Sequence, residues 1–382
     1  MISSILDQDL YTFTVGQAIQ ILYPKVPVTY KFTNRRPNGK MDEEFHARLR
    51  TKIDNMQFLC LTDDEVNFLK TLPFLKQEYI SWLKYYRFDP TQVKTKIVDG
   101  NLELEISGLW CETVFWEVPL LALISETWFE TQEIPGLMES QYQQFLKKGK
   151  LLEGTVFADF GTRRRRSFDI QDLCVKTLKE VPGFVGTSNV YFAMKYNVKS
   201  IGTMSHQWIM GVSALESLRH ANRFALRGWN EVYQGSLGIA LPDTFGTDAF
   251  WEDFDPVLSR LFDGVRHDSG DPFLFAERAI KHYESLGIDP RTRTVVFSDG
   301  LNCELARKLW DAFLGKIKVS FGIGTHLTND VFGCAALNMV IKLYTCNGIP
   351  VIKMGDGNGK GTGDKDAMAV ALWTFKGKPL GI

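Results

Sequence analysis

The sequence predicts an α/β protein, an irregular (β/α) barrel joined to an N-terminal domain of mixed α and β structure. Three observations carry this. From about residue 150, strand-like apolar runs alternate with helical patterns, and each run ends in small polar or charged residues. Before that point, helical patterns surround Asp99-Gly100-Asn101, a hairpin turn flanked by two alternating runs. The length, 382 residues, suits one barrel of about 250 residues and a smaller unit. A doubly wound open sheet is the second architecture that the alternation allows.

Composition narrows the function. Hydrophobic residues make up 45% and charged residues 23%, the balance of a folded, water-soluble protein with a large core. A formal net charge of −1 sets up no field to recruit nucleic acid or an anionic membrane. The six cysteines form no CxxC pair, which reads as free thiols in a reducing compartment. Met1 to Asp7 lacks the basic and apolar regions of a signal peptide, and the longest apolar stretch, 118–124, is too short to span a membrane. A cytoplasmic location is expected.

Residues 1–150 are expected to form the N-terminal domain. Leu10, Phe13, Ala18, Ile21 and Leu22 recur at helical spacing over 7–23, with Asp7 or Asp9 as the cap. Residues 26–33 alternate as a strand, and 34–39 form a turn. Helical patterns follow at 41–58, 63–72 and 74–86, then strands at 93–98 and 102–106, then an apolar helix at 113–130.

Residues 151–345 are expected to form the barrel. Strand 156–160 ends in Gly161-Thr162-Arg163 before helix 167–180; strand 183–185 ends in Gly186 to Asn189 before helix 188–196. Strand 200–204 ends at His206 before helix 209–226, and 237–241 precedes a helical segment near 247–260. Strand 262–266 ends in His267 to Pro272 before helix 272–286, and 294–297 ends in Ser298-Asp299-Gly300 before helix 301–314. Strand 316–321 ends in Gly322 to Thr325, and 339–344 closes the series. In a barrel all these loops gather on one face, so weak local signals converge on one site. The remaining segment, 346–382, reads as a strand and a Gly-rich loop returning to the N-terminal domain. That loop fails the GxxxxGK[ST] spacing in every register.

His206 follows a strand end beside the small residues Gly202, Thr203 and Ser205; alone, it is more simply a structural histidine. Gly322 and Gly324, next to Thr325, leave backbone N–H groups open to a phosphate, or form a tight turn. Arg266 can hold a planar carboxylate through two hydrogen bonds. Asp268 and Asp271 can orient that arginine or meet Mg²⁺, or Asp268 forms an internal ion pair and caps a helix. Asp271, before Pro272, reads as a helix cap. Asp299 suits a ribose hydroxyl or a cap. Phe160 can cover a flat ring. In the run Arg163 to Arg166, one or two guanidiniums suit phosphate and the others a solvated helix start. Together these groups suit a small anionic ring and a phosphorylated sugar.

With these residues in view, the chain resembles the nicotinate phosphoribosyltransferase family nearly end to end. The resemblance rests on Asp9-Leu10-Tyr11, Phe32 to Arg35, Phe160 to Arg164, Gly186 to Asn189, Gly202 to His206, Arg266 to Asp271, Ser298 to Leu301 and Gly322 to Thr325, in that order. It implies an irregular α/β barrel with an N-terminal α/β domain. It also implies phosphoribosyl transfer from phosphoribosyl pyrophosphate to nicotinate, the first step of NAD salvage from nicotinate. The products would be nicotinate mononucleotide and pyrophosphate, with ATP as co-substrate giving ADP and phosphate, and Mg²⁺ as cofactor. The family's phosphorylated histidine falls on His206, its nicotinate contacts on Tyr11, Thr203 and Arg266, and its phosphoribosyl pyrophosphate contact on Thr325. Phe160, Arg163, Arg164, Thr187, Ser188, Asp268, Asp299, Gly322 and Gly324 are expected to face substrate with them. No residue is assigned as a metal ligand. A homodimer is implied, with Asn34 and Arg35 reaching the neighbour's site. The competing readings are the same fold acting on nicotinamide or quinolinate, a non-catalytic nucleotide sensor, and a barrel aldolase or isomerase.

Overall fold

The computed structural model describes residues 2–36, 39–356 and 361–377. The turn expected at 34–39 starts later, because Asn34, Arg35 and Arg36 continue the strand Pro27–Arg36, with Asn34 and Arg36 paired to a distant strand; residues 37–38 of that turn and 357–360 of the Gly-rich loop lie outside the described residues.

Strands β1 (Pro27–Arg36), β2 (Val93–Val98) and β3 (Asn101–Leu109) form antiparallel pairs, β1 on β3 and β3 on β2. Asp99 and Gly100 close the hairpin with φ of 52° and 77°, the two left-handed positions of a type I′ turn. Helices Leu10–Leu22, Glu43–Asn55, Asp63–Lys70 and Gln77–Tyr85 match the expected patterns, with Asp42 and the Thr62–Glu65 capping box starting two of them. Neither Asp7 nor Asp9 caps the first helix through its side chain. Asp7 is paired with Arg165, and Asp9 accepts from Ser188 Oγ at 2.6 Å. The apolar stretch at 113–130 is two helices, Trp110–Thr113 and Glu117–Phe129.

The second half contains a seven-stranded sheet of β4 (Phe157–Asp159), β5 (Phe184–Thr187), β6 (Lys199–Ser200), β7 (Ile239–Ala240), β8 (Gly264–His267), β9 (Thr294–Phe297) and β10 (Lys318–Ile323). All pairs are parallel, in the order β6-β5-β4-β10-β9-β8-β7. The sheet curls into a half-barrel. Its edge strands β6 and β7 do not pair, but Thr203 Oγ1 donates to the Ile239 carbonyl across the seam at 2.9 Å. The expected helix at 209–226 is divided into His206–Leu215 and Ala221–Tyr233.

The run 339–344, read as the last barrel strand, does not join this sheet. It lies in β11 (Asn338–Cys346), antiparallel to β1, with Val28 opposite Cys346 and Asn34 opposite Met339. The reason is periodicity. Met339, Ile341 and Leu343 are buried while their neighbours are half-buried, the pattern of an antiparallel strand with one dry face. Strand β4, by contrast, is buried at every residue. Beyond β11 come β12 (Ile349–Pro350), β13 (Ile352–Lys353) and β14 (Thr362–Gly363). Helix Lys365–Lys376 then packs Phe375 on Phe245, so the C-terminal segment returns to the barrel rim as well as to the N-terminal sheet. This helix and Leu137–Leu152 were not legible as helices in the sequence. Among the described residues no helix is long and apolar enough to cross a membrane.

Candidate active site

A cleft of about 490 Å³ opens at the C-terminal ends of the barrel strands. It continues into an inner pocket of about 60 Å³. Glu117, Phe160, Arg163, Asp268, Ser298 and Lys342 border both spaces, so they form one site. Tyr11, Ser188, Thr203, His206 and Arg266 line the inner pocket, and Arg35, Arg164, Asp299, Gly324 and Thr325 line the outer cleft.

His206 is the first residue of its helix and is buried. Its Nε2 lies 2.7 Å from Asp243 Oδ1 and 3.5 Å from Asp268 Oδ2. The second oxygen of Asp243 accepts from Ser269 Oγ at 2.7 Å and pairs with Lys353 Nζ at 2.9 Å. Burial, and then the Lys353 charge, lower the His206 pKa to about 4 against the pull of the two carboxylates. The imidazole is therefore neutral at neutral pH and keeps a lone pair for chemistry. Burial alone would raise the Asp243 pKa, but Lys353 and His206 hold it well below the usual range.

Arg266 donates from Nη1 to the Met204 carbonyl at 3.3 Å, and its Nη2 is 3.9 Å from Asp268 Oδ2. Asp268 also accepts from Ser298 Oγ at 2.8 Å. Burial works against its charge, yet Arg266 and His206 bring its pKa down to about 2. Asp268 thus orients both the guanidinium and the imidazole. Asp271 caps the helix Pro272–Ser285 as expected, accepting from Phe273 and Leu274 N–H. Asn302, not Asp299, caps the helix Cys303–Phe313, which leaves Asp299 on the cleft wall.

The arginine run divides differently from the expectation. The Arg163 guanidinium lies 5.8 Å from the Tyr11 ring centre, with its Nε 3.5 Å from Asp9 Oδ2. Arg164 donates from Nε and Nη2 to the Met339 carbonyl; burial, with Arg163 and Arg35 nearby, lowers its pKa to about 10. Arg165 and Arg166 are not solvated. Arg165 is fully buried and bonds Asp7 at 2.7 Å and Glu126 at 2.7 Å; Arg166 stacks on Phe129 at 4.1 Å. Paired carboxylates and an aromatic face replace the water that a lone sequence run would be assigned.

Two further expectations change. Gly322 lies inside β10, and a Cβ there would come to 2.3 Å from the Phe160 ring. This glycine makes room for the Phe160 ring and is not on the cleft wall, where the loop is represented by Gly324 and Thr325. Thr187 is buried, lines neither the cleft nor the inner pocket, and donates to Asp159 Oδ2 at 2.8 Å. Asn34 stands in β1 opposite Met339, whereas Arg35 lies on the wall of this chain's own cleft.

Asp243, Lys353, Lys342 and Glu117 were not singled out in the sequence, and Asp9 and Ser269 were named only as a candidate cap or within longer motifs, not as site residues. Asp243 had a signal, since it follows a strand end in Leu241-Pro242-Asp243. Lys342 and Glu117 had none, because they reach the cleft from the N-terminal sheet and the helix above it. Burial, opposed by Glu117 and reinforced by Lys353 and Arg163, lowers the Lys342 pKa to about 8. Burial raises that of Glu117.

Comparison with known proteins agrees across the chain. A family model described as "Nicotinate phosphoribosyltransferase (NAPRTase) family" matches residues 155–377, and its "N-terminal domain" companion matches 6–125. The nicotinate phosphoribosyltransferase of Methanosarcina acetivorans is 47% identical over 100% of both chains. That of Chromohalobacter salexigens is 42% identical over 97% of each. The crystal structure of the Porphyromonas gingivalis nicotinate phosphoribosyltransferase superposes with a TM-score of 0.95 at 38% identity, covering 98% of this chain and 100% of that one.

Proposed function

The chain belongs to the nicotinate phosphoribosyltransferase family, and from that premise we propose that it joins nicotinate to phosphoribosyl pyrophosphate, with ATP hydrolysis coupled through a phosphoryl group carried on His206. The reaction yields nicotinate mononucleotide and pyrophosphate, with ADP and phosphate from ATP, as the first step of NAD salvage from nicotinate. The observation that supports this most is convergence. His206, Arg266 and Thr325 come from three separate strand-to-helix junctions of the barrel and border one continuous cleft.

In the transfer step the pyridine nitrogen attacks ribose C1. The bond from C1 to the pyrophosphate oxygen breaks, and pyrophosphate leaves with the electron pair. This chain's part is to position and to stabilise charge. Arg266 neutralises the nicotinate carboxylate in the inner pocket, where Tyr11, Phe160 and Thr203 surround the ring. Arg163, Arg164, Lys342 and the Gly324–Thr325 turn face the phosphates from the outer cleft. In the coupling step the His206 nitrogen turned away from Asp243 attacks the γ-phosphorus of ATP. The N–P bond forms, the P–O bond to the β-phosphate breaks, and ADP leaves. The proton on the other nitrogen stays, and Asp243 balances the imidazolium charge. Water later cleaves the N–P bond and releases phosphate.

His206, Asp243 and Asp268 offer ligand atoms within 4.8 Å of one another. Lys353, paired to Asp243, makes this trio a poor Mg²⁺ site. Asp299 on the outer cleft fits better, as one carboxylate beside an ion carried on the phosphates; bound there, Mg²⁺ supplies charge neutralisation of the leaving pyrophosphate. A cytoplasmic homodimer belongs to the same reading, with Asn34 and Arg35 at the end of β1 where a second copy would meet the cleft.

The test is a pyrophosphate-release assay with phosphoribosyl pyrophosphate and each of nicotinate, nicotinamide and quinolinate, with and without γ-labelled ATP. Turnover confined to nicotinate, stimulated by ATP, with acid-labile label on protein that His206→Asn abolishes, is the expected result. Preference for another pyridine would reassign the substrate. Binding without pyrophosphate release would make the protein a sensor. Full ATP coupling in His206→Asn would remove the phosphohistidine.

A further inference from the structure

The buried ion pair behind His206 is built by the C-terminal segment 351–356. Met354 N–H donates to the Thr244 carbonyl at 2.7 Å and Gly355 N–H to the Asp243 carbonyl at 3.1 Å. Asp356 N–H donates to Ser269 Oγ at 2.9 Å, and the Asp356 carboxylate accepts from the Thr247 N–H at 2.9 Å and from the Thr247 hydroxyl. The segment thus ties the loop after β7 to the loop after β8. Those two loops supply Asp243 and Asp268, the two carboxylates that face His206.

Within this tie, Ser269 passes its own hydrogen to Asp243 Oδ2, where Lys353 Nζ also lands. Two donors on Oδ2 fix the carboxylate plane and leave Oδ1 aimed at the imidazole. Ser269, Asp243 and Lys353 are all buried. Isolating a lysine and a carboxylate from water costs several kcal/mol per ion, and apolar packing would hold the segment down as well. The arrangement is therefore better explained by what Asp243 does next, which is to hold a ring.

We propose that Ser269 and Lys353 are positioning residues of the site: clamped by segment 351–356, they fix the Asp243 carboxylate and, through it, the orientation of the His206 ring for attack on phosphorus. This inference rests on the phosphohistidine reading above for its activity test but not for its geometry. Lys353, which also borders the outer cleft, places a positive charge near the imidazole; with burial as the larger cause, that charge favours the neutral ring against Asp243 and Asp268. The device follows the logic of an orienting carboxylate behind a catalytic histidine, with one more layer behind the carboxylate.

The experiment uses full-length chain with ¹⁵N-labelled histidine, assigned with His206→Asn, and γ-labelled ATP as the phosphoryl probe. Lys353→Met is expected to raise the His206 pKa by about one unit or more. It should also slow acid-labile labelling on the order of tenfold or more. Lys353→Arg should restore both. Ser269→Ala and Asp356→Asn should slow labelling in the same direction, with the KM for nicotinate unchanged. A folded Lys353→Met protein whose His206 titrates as wild type, or Ser269→Ala and Asp356→Asn proteins that label at the wild-type rate, would overturn the inference. If the wild-type protein takes up no label, the phosphohistidine reading fails, and the titration alone still decides whether Lys353 acts on His206.

Discussion

At the scale of the residue, the chain places several charges where water cannot reach and sets opposite charge or an aromatic face against them. Arg165 is the clearest case. It has no exposed surface, and its guanidinium serves Asp7, Glu126 and Gln171. Arg165→Met should remove the guanidinium that two buried carboxylates share and cost about 3–5 kcal/mol, measured by urea unfolding. Conversion of Asp7 to Asn should cost less, since one partner remains. His206 makes a pH-dependent prediction. Its folded pKa of about 4 lies below the ordinary 6.5. Between these values the unfolded chain binds a proton that the folded chain refuses. Stability is therefore whole above pH 6.5 and is lost as pH falls toward 4. The His206 share of the loss from pH 7 to 4.5 should be on the order of 2–3 kcal/mol, and His206→Asn should flatten the stability curve by that amount. For the same reason, His206 labelling by ATP should show no acid limb near pH 6.5.

At the scale of the element, glycines set how closely strands and rings approach. Gly183 has φ of +100°, and a Cβ there would stand 1.8 Å from the Thr155 carbonyl oxygen. Its own carbonyl accepts from Phe157 N–H, at the start of the β4–β5 pair. Gly183→Ala should destabilise the protein by more than about 1 kcal/mol in thermal unfolding, through backbone strain and a displaced strand. Gly322→Ala acts on function instead. Its methyl would displace the Phe160 ring, so the KM for nicotinate should rise roughly tenfold, with a smaller effect on stability. Most elements were legible in the sequence because their periodicity is local: the cap at Asp271 and the Asp99-Gly100 turn need no distant partner. Helix Leu137–Leu152 was missed because its buried face includes Gln141, Lys148 and Gly149, which do not read as apolar.

At the scale of the whole molecule, β11 decides how the parts behave together. It leaves the barrel half of the chain to lie against β1, and it carries Lys342 to the cleft while Met339 receives Arg164. The two halves therefore share a sheet. Calorimetry should show one unfolding transition and not two, and a chain ending at residue 337 should lose the N-terminal sheet along with the C-terminal segment. The sequence by itself determined the alternation of strands and helices, the rim on which their loops gather, and the identity of His206, Arg266, Asp268 and Thr325 as residues of that rim. These follow from short-range patterns, because a strand end and the loop after it are neighbours in the chain. Only the tertiary structure decided that 338–346 leaves the barrel, that Arg165 and Arg166 are core residues while Arg163 and Arg164 face the cleft, that Gly322 seats Phe160, and that Lys353 stands behind Asp243. Each of these depends on a partner tens to hundreds of residues away. Burial and charge pairing at such distances are settled by packing, which leaves no periodic trace in the chain.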